Sequence, residues 1–123
     1  MKKWEIKNTE KIFENRLLSI NSMECLHPDK LVKWDFYTID TYNWINVIGL
    51  TTDDRFVLVK QHRLGSDELS IETPGGVIED GEDPAQCALR EFREETGYEG
   101  QSIHLLKSLW VNPAIMRNRI NFY

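Results

Sequence analysis

Between Asp83 and Gly97 the chain spells out one bounded helix, and any fold it adopts must place that helix with most of its carboxylates on a single side. Asp83 is a good N-cap, and Pro84 stands at the first helical position, where its missing N–H costs nothing. Gly97 supplies the stop. In between, Ala85, Ala88, Leu89 and Phe92 recur at i, i+3, i+4 and i+7, an apolar stripe that must pack on something. At about 100° per residue, Glu91 and Glu95 fall roughly 40° apart on the flank of that stripe, with Glu94 on the next strip of surface. Like charges this close repel, and Arg90, four residues before Glu94, screens only part of the repulsion.

Such a face has two readings. One is a solvated helix surface, the usual fate of a charge run. The other is a cation site, because oxygen-only ligands carrying several negative charges suit hard divalent ions such as Mg²⁺ or Mn²⁺. Zinc is disfavoured, since His27, His62 and His104 are scattered and Cys25 and Cys87 form no CxxC pair. The preceding loop argues for the cation. Glu72-Thr73-Pro74-Gly75-Gly76 follows a short apolar run over residues 69–71, and paired glycines let backbone approach a ligand or metal closely.

The spacing is specific as well as acidic. After Gly76, Glu82 follows five intervening residues, Arg90-Glu91 follows seven more, and the stretch closes as Phe92-Arg93-Glu94-Glu95-Thr96-Gly97-Tyr98. Seven fixed letters at about 6% usage each, with two apolar positions, coincide at a given start roughly once in 10⁹ times. This stretch resembles the Nudix box, the signature of hydrolases that cleave a nucleoside diphosphate linked to another moiety, and it agrees at every specified position. Upstream, Val57-Leu58-Val59-Lys60-Gln61-His62-Arg63 and Ile71-Glu72-Thr73-Pro74-Gly75-Gly76 resemble the ADP-ribose and nucleotide-sugar pyrophosphatase branch. Downstream, Asn112-Pro113-Ala114 and Asn118-Arg119 look like the same branch.

That resemblance implies a mixed α/β fold, a Nudix-type α/β/α sandwich. A single domain would span residues 1–123, with an N-terminal β extension over 1–40 and a catalytic core over 41–123. Glu91 and Glu95 would ligate Mg²⁺ or Mn²⁺, helped by the Gly75 carbonyl, with Glu94 as a further candidate. Glu82 and Arg90 would brace the site. Arg63 would touch the substrate's phosphate or sugar end, and Glu72 would meet substrate or metal-bound water; their alternatives are an exposed strand-end arginine and a loop acid. Trp34-Asp35 resembles a Trp-Glu pair that reaches across a dimer to hold the partner's base, with an ordinary sheet-face aromatic as the competing reading.

The implied reaction is metal-dependent hydrolysis of the pyrophosphate bond of ADP-ribose or a nucleotide sugar, with two or three divalent ions gripping the diphosphate while water attacks in line. Glu94 is the nearest candidate base inside the box, the alternative being an acid from a later loop. Two other functions stay open: hydrolysis of oxidised nucleoside triphosphates, and a non-catalytic ligand-binding module. Charge supports the metal requirement. Residues 67–99 carry 11 acids against two arginines, so the acidity is local and the remainder of the chain is net positive. An anionic diphosphate needs bridging cations to approach such a surface. A net charge of −5 weighs against nucleic acid as a partner, which calls for a continuous basic face.

No apolar run is long enough to span a bilayer and the first residues do not form a signal-peptide core, so a cytoplasmic protein without a membrane partner is expected, its two cysteines reduced and packed. Residues 16–26 and 31–39 read as strands joined by the turn His27-Pro28-Asp29-Lys30. Residues 44–51 and 56–60 read as a stronger pair of core strands, and 103–111 and 119–123 as two more. Trp34, Phe36 and Tyr37 on a lone hairpin need a covering surface, which predicts a homodimer through the N-terminal extension. The last strand, 119–123, is expected at a sheet edge, in a domain whose C-terminal part is truncated or completed by another chain.

Overall fold

Residues 2–123 are described by a computed structural model. Two units emerge from its internal packing: residues up to Tyr42 with Trp110–Asn118, and Asn43–Leu109 with Arg119–Tyr123.

The first unit is built on an antiparallel three-stranded sheet in the order β1 (Glu5–Glu14), β2 (Leu18–Leu26), β3 (Lys33–Thr41). β2 and β3 form the hairpin anticipated from the sequence, in register from Leu18 opposite Thr41 to Leu26 opposite Lys33. The central strand carries the alternation that a half-buried strand requires, with Asn21, Met23 and Cys25 buried in turn. Buried Asn21 donates through Nδ2 to Asp40 at 2.8 Å, so its polar head is satisfied. The hairpin is not two-stranded, however, because β1 lines its free edge. That strand escaped the sequence reading for a physical reason. All ten of its residues are exposed, so it shows no apolar alternation, and bulges after Ile6 and Lys11 interrupt its register. Trp4, just before it, packs edge-on against His27, Trp34 and Phe36.

The second unit holds a four-stranded mixed sheet in the order β10, β11, β4, β9, with two two-stranded ribbons, β5–β6 and β7–β8, and one helix. The ranges are β4 Trp44–Asn46, β5 Gly49–Leu50, β6 Phe56–Val57, β7 Val59–Arg63, β8 Glu68–Glu72, β9 Gly75–Val77, α1 Pro84–Thr96, β10 Lys107–Trp110 and β11 Arg119–Phe122. The expected long strands over 44–51 and 56–60 are corrected here: each is broken, at Val47-Ile48 and at Leu58. Only Gly49–Leu50 and Phe56–Val57 pair as anticipated, closed by a turn in which the Thr51 N–H donates to the Arg55 carbonyl. β4 instead pairs with β9 and β11, and β7 turns away to β8. Consequently Ile45, Val47 and Val57 reach the core, whereas Leu50, Phe56 and Leu58 remain exposed.

The expected edge at 119–123 is also corrected. β11 is an interior strand, flanked by β10 and running parallel to β4, and Tyr123 continues the pairing through its N–H to Asn46 and its carbonyl to the Ile48 N–H. Its backbone groups are therefore met within the chain.

The helix forms where the sequence places it. Asp83 adopts an extended conformation and its carboxylate accepts from the N–H groups of Ala85 and Gln86, while Gly97 at φ 75° ends the last turn and donates to the Arg93 carbonyl. Cys87, Ala88 and Phe92 are its buried residues, joined by Ile45, Val47 and Val57 and bordered by Ile78, Ile103 and Tyr123. Cys25 and Cys87 are both free and buried, as packed thiols should be. No helix among the described residues is long and apolar enough to cross a membrane.

Candidate active site

With α1 fixed by its caps and its core stripe, the acidic flank faces β7 and β9. Arg90 is the centre of this flank. Its Nε and Nη2 donate to the two oxygens of Glu82 at 2.9 and 3.0 Å, and its Nη1 donates to Glu91 at 2.8 Å and to Glu94 at 3.3 Å. One guanidinium therefore ties three of the box acids together. Glu82 also accepts from the Glu79 N–H, and these donors, Arg90 foremost, hold its carboxyl down to about 2. The same contact with Glu82 raises the Arg90 guanidinium further. Burial, assisted by the Glu82 charge, pushes the Cys87 thiol up to about 12, so this thiol is a packing group that donates to the Val77 carbonyl.

Glu95 is held differently. One of its oxygens accepts from Gln61 Nε2 on β7 at 2.9 Å, and the other accepts from the Gly75 N–H on β9 at 3.0 Å. Glu91 lies against the next residue of β9, so closely that a Cβ on Gly76 would collide with its carboxylate. At Gly76 the missing side chain makes room for the Glu91 carboxylate, whereas Gly75 packs its bare Cα against Asn46 and the Ile45 carbonyl and meets Glu95 through its N–H. The Gln61–Glu95 pair borders a cleft of about 460 Å³ whose walls include Lys60, Thr96 and Tyr98. An apolar cavity of about 590 Å³, lined by Leu50, Leu89, Phe92 and Leu106 among others, contains none of Glu82, Glu91, Glu94 or Glu95.

The remaining residues singled out from the sequence divide between two places. Arg63 and Glu72 lie on the β7–β8 ribbon and engage each other, Nε to carboxylate, at 2.8 Å. Trp34 and Asp35 lie on β3 of the first unit, where Trp34 is 60% exposed. Gln61 was not given a role by the sequence reading. The signal was present in the alternation of β7, which puts Val59, Gln61 and Arg63 on one face of the strand.

The sequence model of the NUDIX domain matches residues 43–119, well over half of the chain and the whole of the acidic constellation. The chain belongs to the NUDIX family. It is 38% identical over 79 residues to a methanol dehydrogenase activator of Bacillus methanolicus, covering 64% of this chain and 43% of that protein. It is 33% identical over 70 residues to an ADP-ribose pyrophosphatase of Bacillus subtilis, covering 57% of this chain and 38% of that protein. An ADP compounds hydrolase of Escherichia coli aligns at 23% identity over 98% of this chain and 65% of its own length. The chain therefore spans less than two thirds of each of these relatives. A crystal structure of an ADP compounds hydrolase superposes with a TM-score of 0.88 at 22% identity, over 99% of this chain and 66% of that one, so the fold is shared.

Whether this NUDIX site suits a divalent cation is decided by its donors. Glu91, Glu94 and Glu95 offer only carboxylate oxygen, the ligand type of a hard ion, and Gly76 leaves bare backbone beside Glu91. As the side chains stand, no three acidic, histidine or cysteine groups among the described residues converge to enclose an ion. Glu91 and Glu94 turn their charge to Arg90 instead. The set fits in kind: Glu94 is exposed and able to turn inward, and Glu95, held by Gln61 and the Gly75 N–H, keeps a lone pair on each oxygen for a cation.

Proposed function

We infer that this protein hydrolyses the pyrophosphate bond of ADP-ribose or a nucleoside diphosphate sugar in a metal-dependent reaction, giving a nucleoside monophosphate and a sugar phosphate. The observation that carries this reading is the intact acidic face of α1, with Glu91 and Glu95 seated on Gly76 and Gly75. The names of the ADP-ribose pyrophosphatase and ADP compounds hydrolase relatives support the substrate class.

In this reading Glu91, Glu94 and Glu95, with the Gly75 carbonyl, hold Mg²⁺ or Mn²⁺, whose contribution is to neutralise the charge of an anionic diphosphate. Glu82 and Arg90 brace that set, because the bidentate pair between them locks the guanidinium that in turn orients Glu91. Water attacks one phosphorus, the bridging P–O bond breaks, and the leaving phosphate departs with the electron pair. The water's proton passes to a carboxylate, for which Glu94 is suited by an exposed side chain that, among the described residues, a long contact to Arg90 alone restrains. Arg63, oriented by Glu72, meets the phosphate or sugar end of the substrate. Trp34 and Asp35 serve the base of a substrate held across a homodimer formed through the first unit; the exposed face of Trp34 is what such a role requires.

The decisive test is a panel with Mg²⁺ comparing ADP-ribose, GDP-mannose, UDP-glucose and an oxidised dGTP. Hydrolysis of ADP-ribose or a nucleotide sugar is expected. Turnover of the triphosphate alone would move the protein to the nucleotide-sanitising class, and turnover of none would leave a binding module.

A further inference from the structure

Gln61 stands out because it treats Glu95 unlike any other contact in the site. Glu82, Glu91 and Glu94 all share the cation of Arg90, whereas Glu95 is in no ion pair among the described residues. Its two oxygens are fixed by neutral donors from two different strands, Gln61 Nε2 of β7 at 2.9 Å and the Gly75 N–H of β9 at 3.0 Å. A carboxylate oxygen has two lone-pair sites, so one donor on each oxygen orients the group and still leaves each oxygen able to take a cation. A neutral amide also leaves the negative charge uncompensated, as a lysine or arginine at this position would not.

We propose that Gln61 is a positioning residue that holds the Glu95 carboxylate in place for a divalent cation without neutralising it. This rests on the metal-dependent reading above. Gln61 is well placed for the task, because β7 is pinned to β8 along five consecutive pairs and its side chain points across to the last turn of α1. The adjoining cleft leaves this corner open to an incoming ion or substrate. The consequence is an asymmetric site in which the Arg90-bound acids are charge-compensated and Glu95 carries the free charge that draws the cation in.

Mn²⁺ binding to the full chain, measured by isothermal calorimetry without substrate, tests this in wild type, Gln61→Met, Gln61→Lys and Glu95→Gln, each checked by circular dichroism melting. Met removes the donor at similar size; Lys keeps a donor but adds a charge. Loss of an outer-sphere partner typically weakens metal affinity about 10–100-fold. Both Gln61 variants are expected to lose affinity in that range with melting temperatures near wild type, and the Mn²⁺ concentration for half-maximal turnover is expected to rise with the maximal rate largely retained. Wild-type affinity in Gln61→Met together with weakened binding in Glu95→Gln would overturn the role of Gln61 alone. Unchanged binding in Glu95→Gln, or no binding in wild type, would overturn the metal reading itself and this inference with it. A Gln61→Lys variant that binds Mn²⁺ as wild type does would refute the requirement for a neutral donor.

Discussion

At the scale of single residues, the acids of the box are chemically alike and are told apart by their partners. Among the described residues Glu95 has hydrogen-bond donors but no ion-pair partner, so Glu95→Gln should weaken metal binding and cost orders of magnitude in turnover; near-normal activity would contradict its assignment as a ligand. Glu94 is exposed, and a Glu94→Gln variant with full turnover would remove it from the role of base. Gly76 offers a separation of effects. A methyl group there meets the movable end of Glu91 and not a fixed backbone atom, so Gly76→Ala should leave the melting temperature close to wild type while lowering metal affinity, as calorimetry would register. Glu82 predicts a pH effect with a definite sign. Its folded carboxyl titrates at about 2 against 4.5 for a free one, so its pairing with Arg90 stabilises the fold fully above pH 4.5 and is lost as the pH falls toward 2. Denaturation curves taken across that window should lose stability less steeply in Glu82→Gln than in wild type, and parallel curves would show that the pairing contributes nothing.

At the scale of elements, α1 was legible and the strands around it were only partly so. The helix is specified locally at both ends. Asp83→Ala removes acceptors of the Ala85 and Gln86 N–H groups and should cost about 0.5–2 kcal/mol in urea denaturation, and Gly97→Ala, which forces a Cβ into the left-handed region, about 1–2 kcal/mol. A strand has no such local signature when its partner lies far along the chain. Residues 44–51 look like one apolar strand, but β4 is claimed by β9 and β11 and the remainder by β6. β1 is the converse case: ten exposed residues with no pattern, placed by antiparallel pairing to β2.

At the scale of the whole molecule, the first unit presents Ile6, Ile12, Phe13, Trp34 and Tyr37 to solvent, side chains that a partner surface would cover. A homodimer through this surface is the expected outcome, and sedimentation of a monomer at micromolar concentration with the sheet intact would count against it. The helix, its caps, two members of its buried stripe (Ala88 and Phe92) and the order of acids along it were legible in the sequence, because those depend on interactions within a few residues of one another; the burial of Cys87 in place of Ala85 and Leu89 was not. It likewise pointed to the glycine pair as a place of close approach. Only the tertiary structure decided that β11 is interior, that Arg90 gathers Glu82, Glu91 and Glu94, and that Glu95 is left to Gln61 from 34 positions away. Those outcomes turn on which distant strands meet, and that choice is made by the packing of the common core around Ile45, Cys87 and Phe92, not by any local preference of the chain.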